Sequence, residues 1–177
     1  HTHSSVDAIF KMRENYNIDY ADVERIVVNT YENVLKIAGN TRFDDANMAK
    51  FSLVYCIAAA LKYGKLGVHE FEIDKLKDPD IEKIVKKIEI YTPEEINKQH
   101  PEKWISQVSV TTKSGEYEEL INYPKGDPEN TFTEEDIYNK FYELVTLKIP
   151  EHQAATLLER CKNIEHFECI EDFTEGF

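Results

Sequence analysis

The sequence predicts an α+β fold: a mainly antiparallel sheet packed with helices, with further helices flanking it. Two observations carry most of this. Ile105 to Thr112 alternates as a strand and meets a second strand-like run, Tyr117 to Asn122, across Lys113-Ser114-Gly115-Glu116, a hairpin signature. Leu53 to Leu61 is apolar nearly all the way round, which predicts a central buried helix within Ala46 to Tyr63. Helices and antiparallel strands mixed in this order read as α+β.

The remaining elements follow from local signals. Ser4 or Ser5 can cap a first helix that runs to about Tyr16, with Val6, Ile9, Phe10 and Met12 sharing a face. Asn17 to Asp22 is polar and turn-like. Val23 to Ile37 is rich in β-branched and aromatic residues and predicts a strand with Ile26, Val28 and Thr30 on one face, broken at Ala38-Gly39-Asn40. The central helix follows the loop Thr41 to Asp45 and ends at Gly64 and Gly67. A short helical stretch near Val68 to Leu76 precedes Asp78-Pro79, a cap followed by proline in the first turn. Ile81, Ile84, Val85 and Ile88 then recur at helical spacing, and Ile88 to Tyr91 turns to strand character. Thr92-Pro93-Glu94-Glu95 reads as a capping box. Thr133 with Asp136 caps another helix, Phe132 and Ile137 are placed as a hydrophobic staple, and Ile137, Phe141 and Leu144 carry its apolar face. Pro150 separates a last helical pair with Ala154, Leu157, Leu158 and Cys161 as its stripe.

Composition excludes some functions. The chain has 177 residues, 41% hydrophobic and 31% charged, the balance of a soluble globular protein. Its net charge of −13 argues against nucleic-acid binding, which needs a basic face. Local basic groups can still hold a small anion. The longest apolar run is about half the roughly 18 residues of a membrane span. Three cysteines without CxxC spacing, and no signal peptide, predict reduced thiols in a cytoplasmic protein. His1 stands in a motif that runs straight into a helix, with no initiator Met, which predicts a piece of a longer chain.

Gly-rich phosphate loops, GxSxG and HExxH are absent. The candidate chemistry lies in short constellations, each with a plainer alternative. His1-Thr2-His3 stands at a predicted helix start, where an imidazole can act as acid or base beside an anion held by free N–H groups. The pair also reads as a tag remnant or surface histidines, and as a weak metal site. Tyr55 places a phenol inside an apolar helix, where it can meet a substrate carboxylate or another protein group. Lys125 lies in the loop Lys125-Gly126-Asp127-Pro128, a mobile lid for a carboxylate or an ordinary turn. Arg42, in the loop before the central helix, is a carboxylate fork or a surface charge.

Taken together, these pieces resemble the MmgE/PrpD family, which includes 2-methylcitrate dehydratases. His1 to Ala8 is similar to the family's THxxxDA segment, and Ala49 to Leu61 to its (K/R)FSxxYxxAxAL helix, followed by Gly64. Asn122 to Asn130 resembles the PKGDPxNP loop, and Thr133 to Phe141 the helix after it. Asn130-Thr131 departs from the usual Asn-Pro, and Asp44-Asp45 replaces a more neutral stretch.

The resemblance implies the C-terminal part of an enzyme whose active site lies between this region and a missing N-terminal helical domain. Members dehydrate 2-methylcitrate, decarboxylate cis-aconitate or epimerise iminodisuccinate, without metal or cofactor. It implies His3 as catalytic acid or base and Tyr55 at the active site; beside them Lys125, Arg42 and His1 are expected, from the local readings above, to bind a small polycarboxylate. It further implies a homodimeric, cytoplasmic parent and an inactive isolated piece. The expected division is residues 1–20 as a helical segment continuing from the missing domain, 21–147 as the α+β domain, and 148–177 as C-terminal helices. The alternative is a binding or regulatory domain that retains the fold without the chemistry.

Overall fold

A computed structural model describes residues 1–174 and confirms the α+β class. It divides into two compact units, His1–Thr131 and a second that begins at Phe132. The first helix falls in the same unit as the sheet. Among the described residues no helix is long and apolar enough to cross a membrane.

In the first unit, α1 (His3–Tyr16) leads to β1 (Val23–Thr30), α2 (Glu32–Ala38), α3 (Ala46–Lys50) and α4 (Leu53–Tyr63). Then come α5 (Ile73–Leu76), α6 (Pro79–Val85), β2 (Ile88–Tyr91), α7 (Glu94–Asn97), β3 (Ser106–Thr112) and β4 (Gly115–Ile121). The sheet order is β2-β1-β3-β4. The β1–β3 and β3–β4 pairs are antiparallel, whereas β1 and β2 run parallel. Ile26, Val28, Val108 and Val110 point to one face and are fully buried there, as the two-residue period requires. On that side α1 packs against β3, β4 and α4.

Helix α4 is buried at every position from Leu53 to Leu61. Each large apolar side chain withdrawn from water in this way stabilises the fold by about 1.5–3 kcal/mol. The helix ends at Gly64, whose φ of 72° is the left-handed conformation that glycine adopts without a Cβ clash.

Four sequence expectations change. Ser4 and Ser5 lie inside α1 and do not cap it: Ser5 Oγ bonds Ser106 Oγ at 2.8 Å, and Ser4 Oγ donates to the Trp104 carbonyl. The strand expected to reach Ile37 stops at Thr30, because α2 starts at Glu32 with its N–H bonded to Asn97 Oδ1 at 2.6 Å. Val34 and Ala38, four apart, are then buried while Leu35 and Ile37 face outward. The single helix expected over Ala46 to Tyr63 is two, because Ser52 caps α4 by accepting the Tyr55 N–H. Helix α7 starts at Glu94 after Pro93 as its N-cap, without the expected box.

The second unit holds α8 (Glu134–Val145), α9 (Glu151–Lys162) and α10 (Ile170–Thr174). The Thr133–Asp136 capping box forms as expected. The predicted buried face of α8 does not: Ile137 and Leu144 are exposed, as is Phe132. Of the α9 stripe, Ala154 is buried and Cys161 is exposed.

Candidate active site

Sheet register brings the site together. Thr30, the last residue of β1, pairs with Ser106, the first of β3, and Ser106 pairs with Ile121 at the end of β4. Tyr31, Trp104 and the chain after Asn122 therefore emerge at one end of the sheet. The Trp104 N–H donates to Asn122 O at 3.0 Å, and Thr30 Oγ1 donates to Ile105 O at 3.0 Å, closing that end. The bonds from Ser4 and Ser5 pin the first turn of α1 beside it.

A hollow of about 190 Å³ opens there, lined by His1, His3, Ser4, Tyr31, Trp104, Pro124 and Asp127. The His1 ring lies 5.1 Å from Trp104, and its Nδ1 is 2.9 Å from the Tyr31 hydroxyl. Tyr31 is itself stacked on His100, with ring centroids 4.1 Å apart and planes 5° from parallel, and meets Trp104 edge-on. Burial pushes the Tyr31 phenol above its ordinary range, so it stays protonated at neutral pH.

The loop that follows β4 is tied down. Gly126 N–H donates to Asn130 O and Asn130 N–H to Asp127 O, both at 2.8 Å, while the Asn130 side chain donates to Tyr123 O at 3.0 Å. Gly126 has a φ of 98°, a conformation that L side chains rarely adopt. Asp7 reaches across from α1 and accepts the Lys125 N–H at 2.7 Å. Burial raises the Asp7 carboxyl above its usual range, and the Lys125 N–H and the charges of His3, Lys11 and Lys125 pull against that rise. His3 and Asp7 stand four residues apart on one face of α1.

Asp7→Ala is expected to cost about 1–2 kcal/mol, because the charged hydrogen bond to the loop is lost. Amide exchange at Lys125 should accelerate, while Asp7→Asn, whose amide oxygen can accept the same N–H, should restore most of the protection. Exchange at Lys125 that ignores the alanine change would show that the loop holds itself.

The structure thus gathers two of the expected site residues, His1 and His3, in one hollow. Lys125 contributes its backbone and its charge to the latch with Asp7, and the loop residue lining the hollow is Asp127. Arg42 is exposed and bonded through Nε to Asp44 Oδ2 at 2.9 Å. Tyr55 is fully buried, packed between Phe43 and Phe71, and its hydroxyl donates to the Glu70 carbonyl. It does not line the hollow, since the phenol leaves α4 on the side facing Glu70. Its neighbour Cys56 is a buried free thiol that burial pushes up to about 12, which keeps it from acting as a nucleophile. Sequence reasoning passed over Tyr31, Trp104, Asp127 and Asp7; the last two were visible only as members of the PKGDPxNP and THxxxDA motifs.

Among the described residues no three His, Cys, Asp or Glu side chains are grouped to hold a metal ion. The fold is thus an α+β domain with an imidazole-lined hollow at one end of its sheet. The family model of the MmgE/PrpD C-terminal domain matches residues 1–165, and the chain belongs to that family. No curated protein matches it.

Proposed function

We propose that this chain is the C-terminal, active-site-forming part of a metal-independent lyase or isomerase that acts on a small di- or tricarboxylate, in the manner of 2-methylcitrate dehydratase. The observation that supports this reading best is the meeting of His1 and His3 with Asp127 in one hollow at the start of α1. Free N–H groups and the positive end of the helix dipole favour an anion there. In this reading His3 takes the proton from the carbon beside a carboxylate. The electron pair of that C–H bond becomes the new C=C bond, and the hydroxyl on the neighbouring carbon leaves as water after protonation.

At about 190 Å³ the hollow is smaller than the roughly 300–1,000 Å³ of small-molecule sites, which fits a site completed by a second domain. The parent is then a cytoplasmic homodimer with a helical N-terminal domain, and this chain alone has no catalysis. The test is turnover of 2-methylcitrate, citrate, cis-aconitate and iminodisuccinate by the full-length protein. At least one should be consumed, and none by the 177-residue chain. Failure with all four would overturn the substrate class, and turnover by the chain alone would overturn the divided site.

A second reading is a binding or regulatory domain that kept the fold and lost the chemistry. It draws on Tyr55, whose hydroxyl is used inside the core. Polycarboxylate binding by the full-length protein with no turnover would favour it.

A further inference from the structure

We propose that Tyr31 is a positioning residue that fixes His1 as the Nε2–H tautomer, making His1 a neutral hydrogen-bond donor for a substrate carboxylate. This rests on the reading of the hollow as a carboxylate site, and it assigns the two histidines different work. Each imidazole nitrogen of a neutral histidine is either donor or acceptor, and the partner of one nitrogen decides the other.

The surroundings of Tyr31 carry the assignment. The Tyr31 hydroxyl lies 2.9 Å from His1 Nδ1, and Tyr31 is only 2% exposed. A buried hydroxyl must place its one proton on an acceptor, and Nδ1 is the acceptor at hand. Tyr31 therefore donates, Nδ1 accepts, and the proton of neutral His1 sits on Nε2. The phenol cannot swing away cheaply, because its ring is stacked on His100 and held edge-on by Trp104. The Trp104 ring also packs on His1. An Nε2–H donor is the wrong group to remove a proton from carbon and the right one to hold a carboxylate. Proton abstraction then falls to His3, and His1 sets which end of the substrate is gripped.

The test is 15N spectroscopy of the full-length protein labelled at histidine, recorded at a pH of about 8, where ordinary imidazoles are neutral. His1→Asn identifies the His1 signals by their disappearance. The wild-type spectrum should show His1 with a bare Nδ1 and a protonated Nε2, and Tyr31→Phe should shift it toward a tautomer mixture. In turnover, Tyr31→Phe should raise KM up to about tenfold, the worth of one neutral hydrogen bond, with kcat little changed. His1 protonated on Nδ1 in the wild type, or a tautomer unmoved by Tyr31→Phe, would overturn the assignment. The spectrum needs no substrate, so its outcome is independent of whether the proposed reaction is found.

Discussion

His3→Ala in the full-length protein is expected to lower kcat by about 10²–10⁴-fold, the usual contribution of a positioned acid or base. The loss should be chemical and not structural. His3 is an exposed residue in the first turn of α1, and alanine is the better helix former there. Exposed substitutions of this kind usually change stability by no more than about 0.5 kcal/mol. Far-ultraviolet circular dichroism and the unfolding midpoint should therefore match the wild type while turnover collapses. Tyr55→Phe is the informative companion. Its hydroxyl donates to the Glu70 carbonyl inside the core, so the change should cost about 1 kcal/mol of stability and leave kcat near wild type. The opposite pattern, with activity lost at Tyr55 and kept at His3, would move the chemistry from the start of α1 to α4 and sink the present site.

The contrast between those two residues shows where the sequence was legible. Several signals confined to a few neighbouring residues were read correctly: the β3–β4 hairpin from its alternation, Asp78-Pro79 opening α6, and the Thr133–Asp136 box opening α8, though the caps expected at Ser4 or Ser5 and at Thr92 do not form. Tyr55 also announced its burial through the apolar run around it. What the run could not disclose was direction, because a helix apolar on all sides gives no periodicity from which to tell a site-facing position from a core-facing one. The same holds at Phe51-Ser52, where a serine cap interrupts a pattern that reads as unbroken.

Non-local pairing was less visible still. The parallel β1–β2 contact joins segments about sixty residues apart through a helical crossover, and nothing local marks it. The hollow depends on such pairings. Tyr31 and Trp104 become neighbours only because Thr30 pairs with Ser106, so each alone reads as an ordinary aromatic at the edge of an element. The place of His3 was legible for the opposite reason: a histidine beside a helix start is positioned by signals within its own turn.

Lys62→Met should destabilise the fold more than Asp7→Ala, His3→Ala or Tyr55→Phe, by about 2–3 kcal/mol. Lys62 lies in the last turn of α4 and reaches α6, with Nζ 2.7 Å from Asp78 Oδ1 and 2.8 Å from Asp80 Oδ2. The Lys62 side chain is 13% exposed and that of Asp78 20%, so the pair is largely removed from water. Methionine fills the stem and leaves the Asp78 carboxylate with two donors, the Tyr63 hydroxyl at 2.7 Å and the Asp80 N–H at 3.0 Å. Those remaining bonds are why the expected cost sits at or below the low end for breaking a buried pair.

The pH dependence separates this cause from simple loss of packing. Burial opposes ionisation of Asp78, but the hydrogen bonds from Lys62 and Tyr63 outweigh it and hold the carboxyl below its usual range. Asp80 is held low as well, by its hydrogen bonds to Lys62 and Lys83. A depressed folded-state pKa contributes stability above the unfolded value of about 3.9, and that contribution is lost as pH falls through the folded one. Urea unfolding should therefore show the full gap between wild type and Lys62→Met at neutral pH, and a gap that narrows steadily in acid below about pH 4. A difference that stays constant across that range would mean that the Lys62 ammonium acts through the rings of Tyr20 and Tyr63, whose centroids lie 5.1 and 5.8 Å from it, and that its ion pairs with Asp78 and Asp80 do not tie α4 to α6.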